Sequence, residues 1–217
     1  MELSEKYIVT ENNLDVRMYQ QLQLIHRNCQ PFLKEWLKSF KGHNLEIWYR
    51  GMQSSVSFFQ RDVRTERIPT NTDVELHLEL DSEFNKRYGH KYRSNALFVT
   101  GDVSEANEYG SVFMIFPIGD FKYLWNERID DLFLFTDILS GNKPEYSSGT
   151  YKEKLLSTYK STNMMRAINS EVEIMLACKQ YYGLRAKIYN NIILEWFKVY
   201  ANETPTQEKF QVIWDKR

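Results

Sequence analysis

The feature that most limits the fold is a series of short apolar runs, each bounded by polar or turn-forming residues. The run SVFMIFPIG (111–119) is a strong strand candidate, and Pro117 marks its end or a sheet edge. Two shorter runs, ALFVT (96–100) and VEIMLA (172–177), are also predicted to be strands. Loops of variable length separate these runs, unlike the regular strand–helix alternation of a doubly wound sheet. The sequence therefore predicts an α+β fold.

The beginning of the chain has helical periodicity. Apolar residues recur at helical spacing from Asn13 to about Lys41. Pro31 cannot donate an intrahelical hydrogen bond, so two helices are expected here instead of one, and Gly42 is a suitable helix stop. We therefore expect an N-terminal helical segment, residues 1–42, followed by a second domain, residues 43–217.

Local patterns assign several further elements. Residues 53–70 are polar and are a helix candidate, while residues 74–89 fit an amphipathic helix better than a strand. VSEANEYG (103–110) is expected to form a short helix capped by Asp102 or Ser104. Near the end of the chain, a turn at KQYYG (179–183) is predicted to separate the strands VEIMLA and LRAKIY (184–189).

The composition is that of an ordinary globular protein of 217 residues, with 42% hydrophobic residues and a formal net charge of −1. Binding to nucleic acid or to a membrane surface would therefore depend on a local patch and not on overall charge. The start MELSEKYIVTENN lacks the regions of a signal peptide, and no stretch approaches 18 uninterrupted apolar residues. Together with two widely separated cysteines, Cys29 and Cys178, these features predict a cytoplasmic protein that does not enter a membrane.

The sequence gives no indication of a metal site. The four histidines form no close pair with carboxylates or cysteines at ligand spacing. A glycine-rich phosphate loop, an HExxH motif, a CxxC motif and a nucleophile elbow are also absent from the sequence. We therefore expect no metal, and the common nucleotide-binding and hydrolase motifs do not explain the chain.

Two carboxylates precede the last apolar run. In Glu171-Val172-Glu173, the glutamates are two residues apart, so on a strand they would share one face, roughly 6–7 Å apart. Such a pair is often only a solvated rim at the polar end of a strand. Two other short motifs precede this pair, and the three together favour a functional role for it.

The three motifs together resemble those of the ADP-ribosyltransferase superfamily, specifically the Arg–Ser–Glu branch that includes bacterial toxins and phage enzymes. The first is an aromatic–Arg–Gly sequence at an early strand, here Tyr49-Arg50-Gly51. The second is a strand that ends in a small hydroxyl residue, here Thr100, followed by Ala106 six positions later and Tyr109 nine positions later. The third is the ExE sequence of residues 171–173. The usual serine-rich second motif is replaced by FVTG, so Thr100 would have to supply the hydroxyl.

This resemblance implies a fold and a reaction. The fold would be a split mixed β-sheet core of the ADP-ribosyltransferase type, and the reaction would transfer ADP-ribose from NAD to a macromolecular acceptor. Glu173 would stabilise the positive charge that develops on the ribose as nicotinamide leaves. Glu171 would orient or deprotonate the acceptor, and the neighbouring negative charge should raise its pKa.

The resemblance also implies residues that hold NAD. Arg50 would bind the diphosphate or ribose side through its planar guanidinium, and Gly51 would let the ligand approach the backbone closely. Thr100 would support Glu173 by a hydroxyl hydrogen bond, or alternatively only cap the turn that follows it. Tyr109 would stack on nicotinamide, although an aromatic side chain in the core is an equally simple interpretation.

Two basic, tyrosine-containing segments are candidates for holding the acceptor, which would be protein arginine or nucleic acid. They are NKRYGHKYR (85–93) and TYKEKLLSTYKSTNMMRA (150–167). Cations attract phosphates and exposed aromatic rings stack on unpaired bases, but both segments also fit ordinary solvated charge around core tyrosines. Arg61, Arg64 and Arg67 share a helical spacing but have acidic neighbours, and we assign them no role.

Two alternatives remain open from the sequence. The chain could be a non-catalytic phage or host interaction protein that binds a protein or nucleic acid through its basic, aromatic loops. It could also cleave NAD without a macromolecular acceptor, as an NAD glycohydrolase. In the favoured interpretation it is a phage or bacterial effector that acts in the cytoplasm, including that of a bacterial host.

Overall fold

The computed structural model describes residues 11–39, 46–68, 74–127, 129, 153 and 156–200. Helices alternate irregularly with short strands along these residues. The helices are α1 (Glu11–Asn28), α2 (Gln30–Ser39), α3 (Val74–Tyr88), α4 (Val103–Glu108), α5 (Met164–Ile168) and α6 (Ala186–Tyr200). The strands are β1 (Tyr49–Met52), β2 (Phe58–Asp62), β3 (Leu97–Val99), β4 (Ser111–Ile118), β5 (Lys122–Trp125), β6 (Ile174–Ala177) and β7 (Gln180–Arg185). The α+β prediction is confirmed.

The strands form two separate sheets. One has the order β1-β4-β7-β2 and the other has the order β3-β6-β5. Every described strand pair is antiparallel, whereas the resemblance predicts a mixed sheet. The two sheets meet where Tyr49 and Thr100 exchange backbone hydrogen bonds of 2.7 and 3.0 Å. This bridge brings the start of β1 next to the end of β3.

The helical predictions are confirmed in part. The first two helices are separated at Cys29, and Pro31 lies in the first turn of α2, where a missing N–H costs nothing. The helix predicted over residues 74–89 forms as α3 and ends before Gly89, whose φ of 70° suits the residue that follows a helix. The stop predicted at Gly42 lies outside the described residues.

Two strand assignments near the end of the chain are wrong. The KQYYG segment is not a turn, because residues 180–183 belong to β7, which pairs with both β2 and β4. The turn is instead at Cys178-Lys179, and the predicted strand LRAKIY becomes helical from Ala186. Tyrosines and a glycine resemble turn chemistry locally, but burial between two partner strands decides the outcome.

One further prediction fails for the same reason. Residues 58–62, within the predicted helix 53–70, form the edge strand β2 and pair with β7. Pro117 lies one residue before the end of β4, as one of the two predictions for it states, although β4 is a central strand and not an edge. The Ile115 amide donates to the Trp48 carbonyl oxygen just before β1. The nitrogen of Pro117, two residues later, faces the same side but lies beyond the start of β1, so the missing N–H of proline removes no hydrogen bond between β4 and β1.

The N-terminal helices share the main hydrophobic core with the four-stranded sheet. Leu22, Phe32 and Trp36 in these helices are almost fully buried in the same cluster as Trp48 and Trp196. The ring of Phe32 packs 5.1 Å from that of Trp48. None of the described helices is both long enough and apolar enough to cross a bilayer.

Candidate functional site

The junction of the two sheets brings together the residues of the three sequence motifs. Arg50 follows the bridging residue Tyr49, and Thr100, the other bridging residue, directly follows β3. Val99 pairs with Ile174 in the antiparallel β3–β6 register, so continuing that register by one residue aligns Thr100 with Glu173. Three segments that are distant in sequence therefore meet at one point.

Arg50 is fixed at this junction. Its Nη1 donates a 2.5 Å hydrogen bond to the Phe98 carbonyl oxygen. Its Nε is buried and has no hydrogen-bond partner among the described residues. Burial lowers the pKa of Arg50, and the positive charges of Arg64 and Arg67 lower it further, whereas Glu173 opposes this effect. The Arg50 guanidinium thus keeps one unused donor, and its charged neighbours are two arginines and the carboxylate of Glu173.

The two glutamates of the third motif do not share a strand face. β6 begins at Ile174, so Glu173 lies just before it and is half-buried. Glu171 is exposed in a turn and has the left-handed φ of 58°, which breaks the two-residue alternation of a strand. The expectation that both carboxylates lie on one face is wrong, and only Glu173 stays at the sheet junction.

Thr100 and Tyr109 lie on either side of the short helix α4. The Thr100 hydroxyl is buried and accepts a 3.1 Å hydrogen bond from the Asp102 amide, which is the turn-capping role considered for it. A hydroxyl can still donate one further bond. Tyr109 follows the helix and is 64% exposed, so it is not a core aromatic. Asp102 caps the helix through a 2.6 Å bond from the Ser104 amide, as one of the two predicted caps.

Gly51 has a different role from the one that the resemblance implies. A Cβ on Gly51 would lie 1.7 Å from the Ala106 carbonyl oxygen and 2.9 Å from the Tyr109 Cβ. The space beside this glycine is therefore filled by α4 and not left for a ligand. Gly51 of the first motif and Ala106 of the second motif therefore contact each other where β1 packs closely against α4.

We predict that Gly51→Ala destabilises the protein by about 3 kcal/mol, because backbone atoms would have to move to admit the methyl group. Chemical denaturation would measure the free energy of unfolding. Gly89→Ala is the control, since a Cβ there meets nothing within 4 Å and only the φ of 70° opposes it. The control should cost about 1 kcal/mol. Equal losses in the two variants would contradict the packing role of Gly51.

Two further arginines, Arg67 and Arg93, surround the same junction. The Arg67 and Arg93 guanidinium carbons lie 4.5 and 5.2 Å from the centre of the Phe98 ring. Arg93 Nη1 is 3.5 Å from Glu173 Oε1, and the Arg93 side chain is 8% exposed. Partial desolvation of its guanidinium and the nearby charge of Arg93 lower the pKa of Arg67, although the residue as a whole is exposed. The sequence placed Arg93 in a surface patch, but it is buried beside the candidate catalytic carboxylate.

The four-stranded sheet extends this arrangement. Arg50, Phe113 and Arg185 are aligned across β1, β4 and β7, and Arg185 lies 5.6 Å from the Phe113 ring. Arg61 lies 4.6 Å from the ring of Phe59. Because paired residues point to the same side of a sheet, these side chains cover one face of it. The helical spacing of Arg61, Arg64 and Arg67 was misleading, since the first is on a strand and the others follow it.

Arg93 is held in place by a buried polar network. Asp81 on α3 accepts hydrogen bonds from the backbone amides of Arg93 at 2.7 Å and Ser94 at 3.1 Å, and from the Ser94 hydroxyl. His77 Nε2 lies 3.0 Å from Ser94 Oγ. His77, Asp81 and Ser94 are all buried. The network therefore fixes the loop that carries Arg93 against Glu173.

Several described residues of the two predicted acceptor segments make structural contacts. In residues 85–93, Tyr92 is buried, and the hydroxyl of Tyr88 donates to backbone carbonyls at 3.1 Å. In residues 150–167, Tyr159 is buried and Lys160 pairs with Glu127 at 2.8 Å. Arg166 also pairs with Glu127. Tyr151, Lys152 and Lys154 lie outside the described residues.

A separate pocket lies at the other end of β6. Its volume is about 590 Å³, and the turns before β5 and after β6 contribute to its wall. Its polar lining includes Asp62, His90, Asp120, Lys122, Cys178 and Lys179. Burial raises the pKa of the Cys178 thiol to about 12, so the thiol stays protonated at neutral pH. In the described parts of the chain, no group of three His, Cys, Asp or Glu side chains is arranged to hold a metal ion.

Comparison with known proteins assigns the chain to no family. No protein-family model, no curated protein and no solved structure matches it. The chemistry of the site is therefore inferred from its own residues.

Proposed function

We propose that the protein is an NAD-dependent mono-ADP-ribosyltransferase, which cleaves the bond between nicotinamide and ribose and transfers ADP-ribose to a macromolecular acceptor. The observation that supports this proposal is the convergence of Arg50, Thr100 and Glu173 at the bridge between the two sheets. These are the residues that the three motifs single out. Their order and spacing in the sequence do not by themselves require them to meet.

Glu173 carries the chemical step in this proposal. As neutral nicotinamide departs, positive charge develops on the ribose, and a carboxylate bonded to a ribose hydroxyl stabilises that charge. Arg93 lies 3.5 Å from one carboxylate oxygen, Oε1, and is thereby positioned to fix the orientation of the side chain. Both partners are at least half-buried, so the pair is little screened by solvent.

Arg50 binds the phosphates of NAD. One arm of its guanidinium is committed to the Phe98 carbonyl, and the unused Nε donor remains for an anion. The diphosphate and the nicotinamide ribose are thus held by groups of opposite charge. Such fixed groups act without reorganising during the reaction, which is the usual source of their catalytic effect.

Glu171 would serve the acceptor. It is exposed in the turn two residues before Glu173, so an acceptor can reach it from solvent while it attacks the ribose beside Glu173. Its left-handed backbone turns it away from the alternation that a continuous strand would have. The electrophile and the nucleophile therefore approach different carboxylates.

We predict that Arg50→Lys raises the KM for NAD at least tenfold, because an ammonium group cannot bond the Phe98 carbonyl and a phosphate with the same fixed geometry. Initial rates of nicotinamide release at varied NAD concentration would measure this effect. Arg27→Lys, at an exposed residue of α1, is the matched control and should leave the KM unchanged. An unchanged KM in the Arg50 variant would remove this residue from the NAD site.

The overall proposal is tested by incubating the protein with NAD labelled in its adenylate part, with and without cell extract. We expect nicotinamide release and transfer of label to macromolecules, whose class is shown by separate digestion with protease and nuclease. Nicotinamide release without labelled macromolecules would instead indicate an NAD glycohydrolase. The proposal would be refuted if no nicotinamide were released and no macromolecule were labelled.

A further inference from the structure

We propose that the arginine-rich surface formed by one face of the four-stranded sheet and the adjoining sheet junction binds a single-stranded nucleic acid, and that this strand is the acceptor of ADP-ribose. In the transfer, the bond between nicotinamide and ribose C1′ breaks and nicotinamide leaves as the neutral base. A hydroxyl or amine of the strand bonds to C1′, and the proton that it loses passes to Glu171 or to water. The surface consists of the exposed Arg61, Arg64 and Arg67 and the half-buried Arg185, Phe59 and Phe98, and Arg93 and Phe113 are buried beneath it. We call it the arginine–phenylalanine surface. Binding does not depend on the reaction, whereas the role of the strand as acceptor rests on the proposed function.

The positive charge at this surface exceeds what NAD can neutralise. With Arg50, six guanidinium groups gather around the junction and the adjoining sheet face. Glu173 offsets one of them, the exposed Glu66 and Glu171 each add a negative charge beside the same segments, and the diphosphate of NAD would offset about two more. The exposed Arg61, Arg64 and Arg67 still concentrate positive charge beside the site where the acceptor must arrive, and they would repel an arginine side chain.

The nearest acidic residue of β2 does not cancel this charge. Asp62 follows Arg61 on the strand, so its side chain points to the opposite face of the sheet. Its carboxylate there accepts a 2.7 Å hydrogen bond from Gln180. The alternation of β2 therefore separates the two signs of charge that neighbour each other in the sequence.

Contacts between arginines and aromatic rings favour an unpaired strand. Four such contacts, with distances of 4.5 to 5.6 Å, lie on this surface. Arg61, Arg64 and Arg67 are exposed, and Phe59 and Phe98 are half-buried. Guanidinium planes and aromatic rings both stack on bases that are splayed out of a helix, while the same guanidinium groups bind phosphates.

The surface also holds unused donors. Nε atoms of Arg93 and Arg185 are buried and have no hydrogen-bond partner among the described residues. Arg93 itself is 7% exposed, so these donors are not simply solvated. Buried donors of charged groups are rarely left without acceptors, and a phosphate oxygen would supply them.

Fluorescence anisotropy with labelled 12-nucleotide poly-U and poly-dT tests the binding, without NAD. We expect binding that weakens with salt, and the double variant Arg61→Gln/Arg64→Gln should bind about tenfold more weakly with a shallower salt dependence. Lys86→Gln/Lys91→Gln removes the same charge from exposed positions of the 85–93 segment and should bind like the wild type. Without an acceptor, nicotinamide release by the lysine double variant should remain at the wild-type rate.

Several outcomes would overturn the proposal. They are no binding at low salt, an equal loss in the lysine double variant, tighter binding to a duplex of the same length, or equal binding of poly-glutamate. If the wild type binds the oligonucleotides but releases no nicotinamide from NAD, the proposed reaction alone is refuted. Nicotinamide release without oligonucleotide binding would refute this inference alone.

Discussion

Replacing Glu173 with glutamine is expected to lower the rate of nicotinamide release about 1,000-fold. Glutamine has nearly the same shape but carries no charge, so it cannot stabilise the developing positive charge on the ribose. At about 1.36 kcal/mol for each factor of ten, the loss corresponds to about 4 kcal/mol of transition-state stabilisation. The decrease should appear in kcat, with a smaller change in the KM for NAD, because the charge acts mainly in the transition state.

Glu171→Gln is the natural comparison, since it makes the same change two residues away in an exposed turn. It should lower transfer to the acceptor while nicotinamide release continues by reaction with water. Circular dichroism of both variants would check that the fold is retained. If Glu173→Gln releases nicotinamide at the wild-type rate, the carboxylate next to β6 is not catalytic.

Replacing Asp81 with asparagine is expected to destabilise the protein by about 3 kcal/mol. The Asp81 carboxylate is 2% exposed and accepts from two backbone amides and the Ser94 hydroxyl. An asparagine would present an N–H₂ group to at least one of these donors and leave it buried without an acceptor. For a chain of this length we expect the Tm to fall by about 6–12 °C.

Glu83→Gln is the matched control on the same helix. Its ion pair with Arg87, at 3.5 Å, is partly exposed on both sides, and such pairs contribute little. The control should change the free energy of unfolding by less than about 0.5 kcal/mol. Similar effects of Asp81→Asn and Glu83→Gln would show that the buried network does not stabilise the loop that carries Arg93.

Local sequence patterns correctly predicted the helices that do not depend on pairing with distant segments. The amphipathic helix α3 and the capped helix α4 carry their signals within the segment itself, in the apolar spacing and in Asp102. β7 could not be recognised in this way, because its Gln-Tyr-Tyr-Gly sequence has turn-forming residues. It becomes a strand because β2 and β4 pair with it on both sides, and such partners are not visible in the sequence.

The residues of the candidate site likewise fall into two groups, those that the sequence identified and those whose position depends on tertiary contacts. Arg50, Thr100 and Glu173 could be found because each belongs to a short motif with fixed spacing. The arginines around them belong to no such motif, and Arg93 lies among lysines that are exposed. Its burial beside Glu173 depends on a carboxylate of α3, twelve residues earlier in the chain. The contact of Gly51 with α4 is likewise a tertiary feature, although the glycine itself was identified.

In the proposed reaction, a single dinucleotide occupies the junction between Arg50 and Glu173. A crystal structure of the Glu173→Gln variant soaked with NAD tests it most directly, since this variant should bind NAD without cleaving it. We predict the diphosphate within hydrogen-bond distance of Arg50 Nε and the nicotinamide ribose beside residue 173. NAD bound instead in the pocket next to Cys178, with the sheet junction empty, would contradict the account.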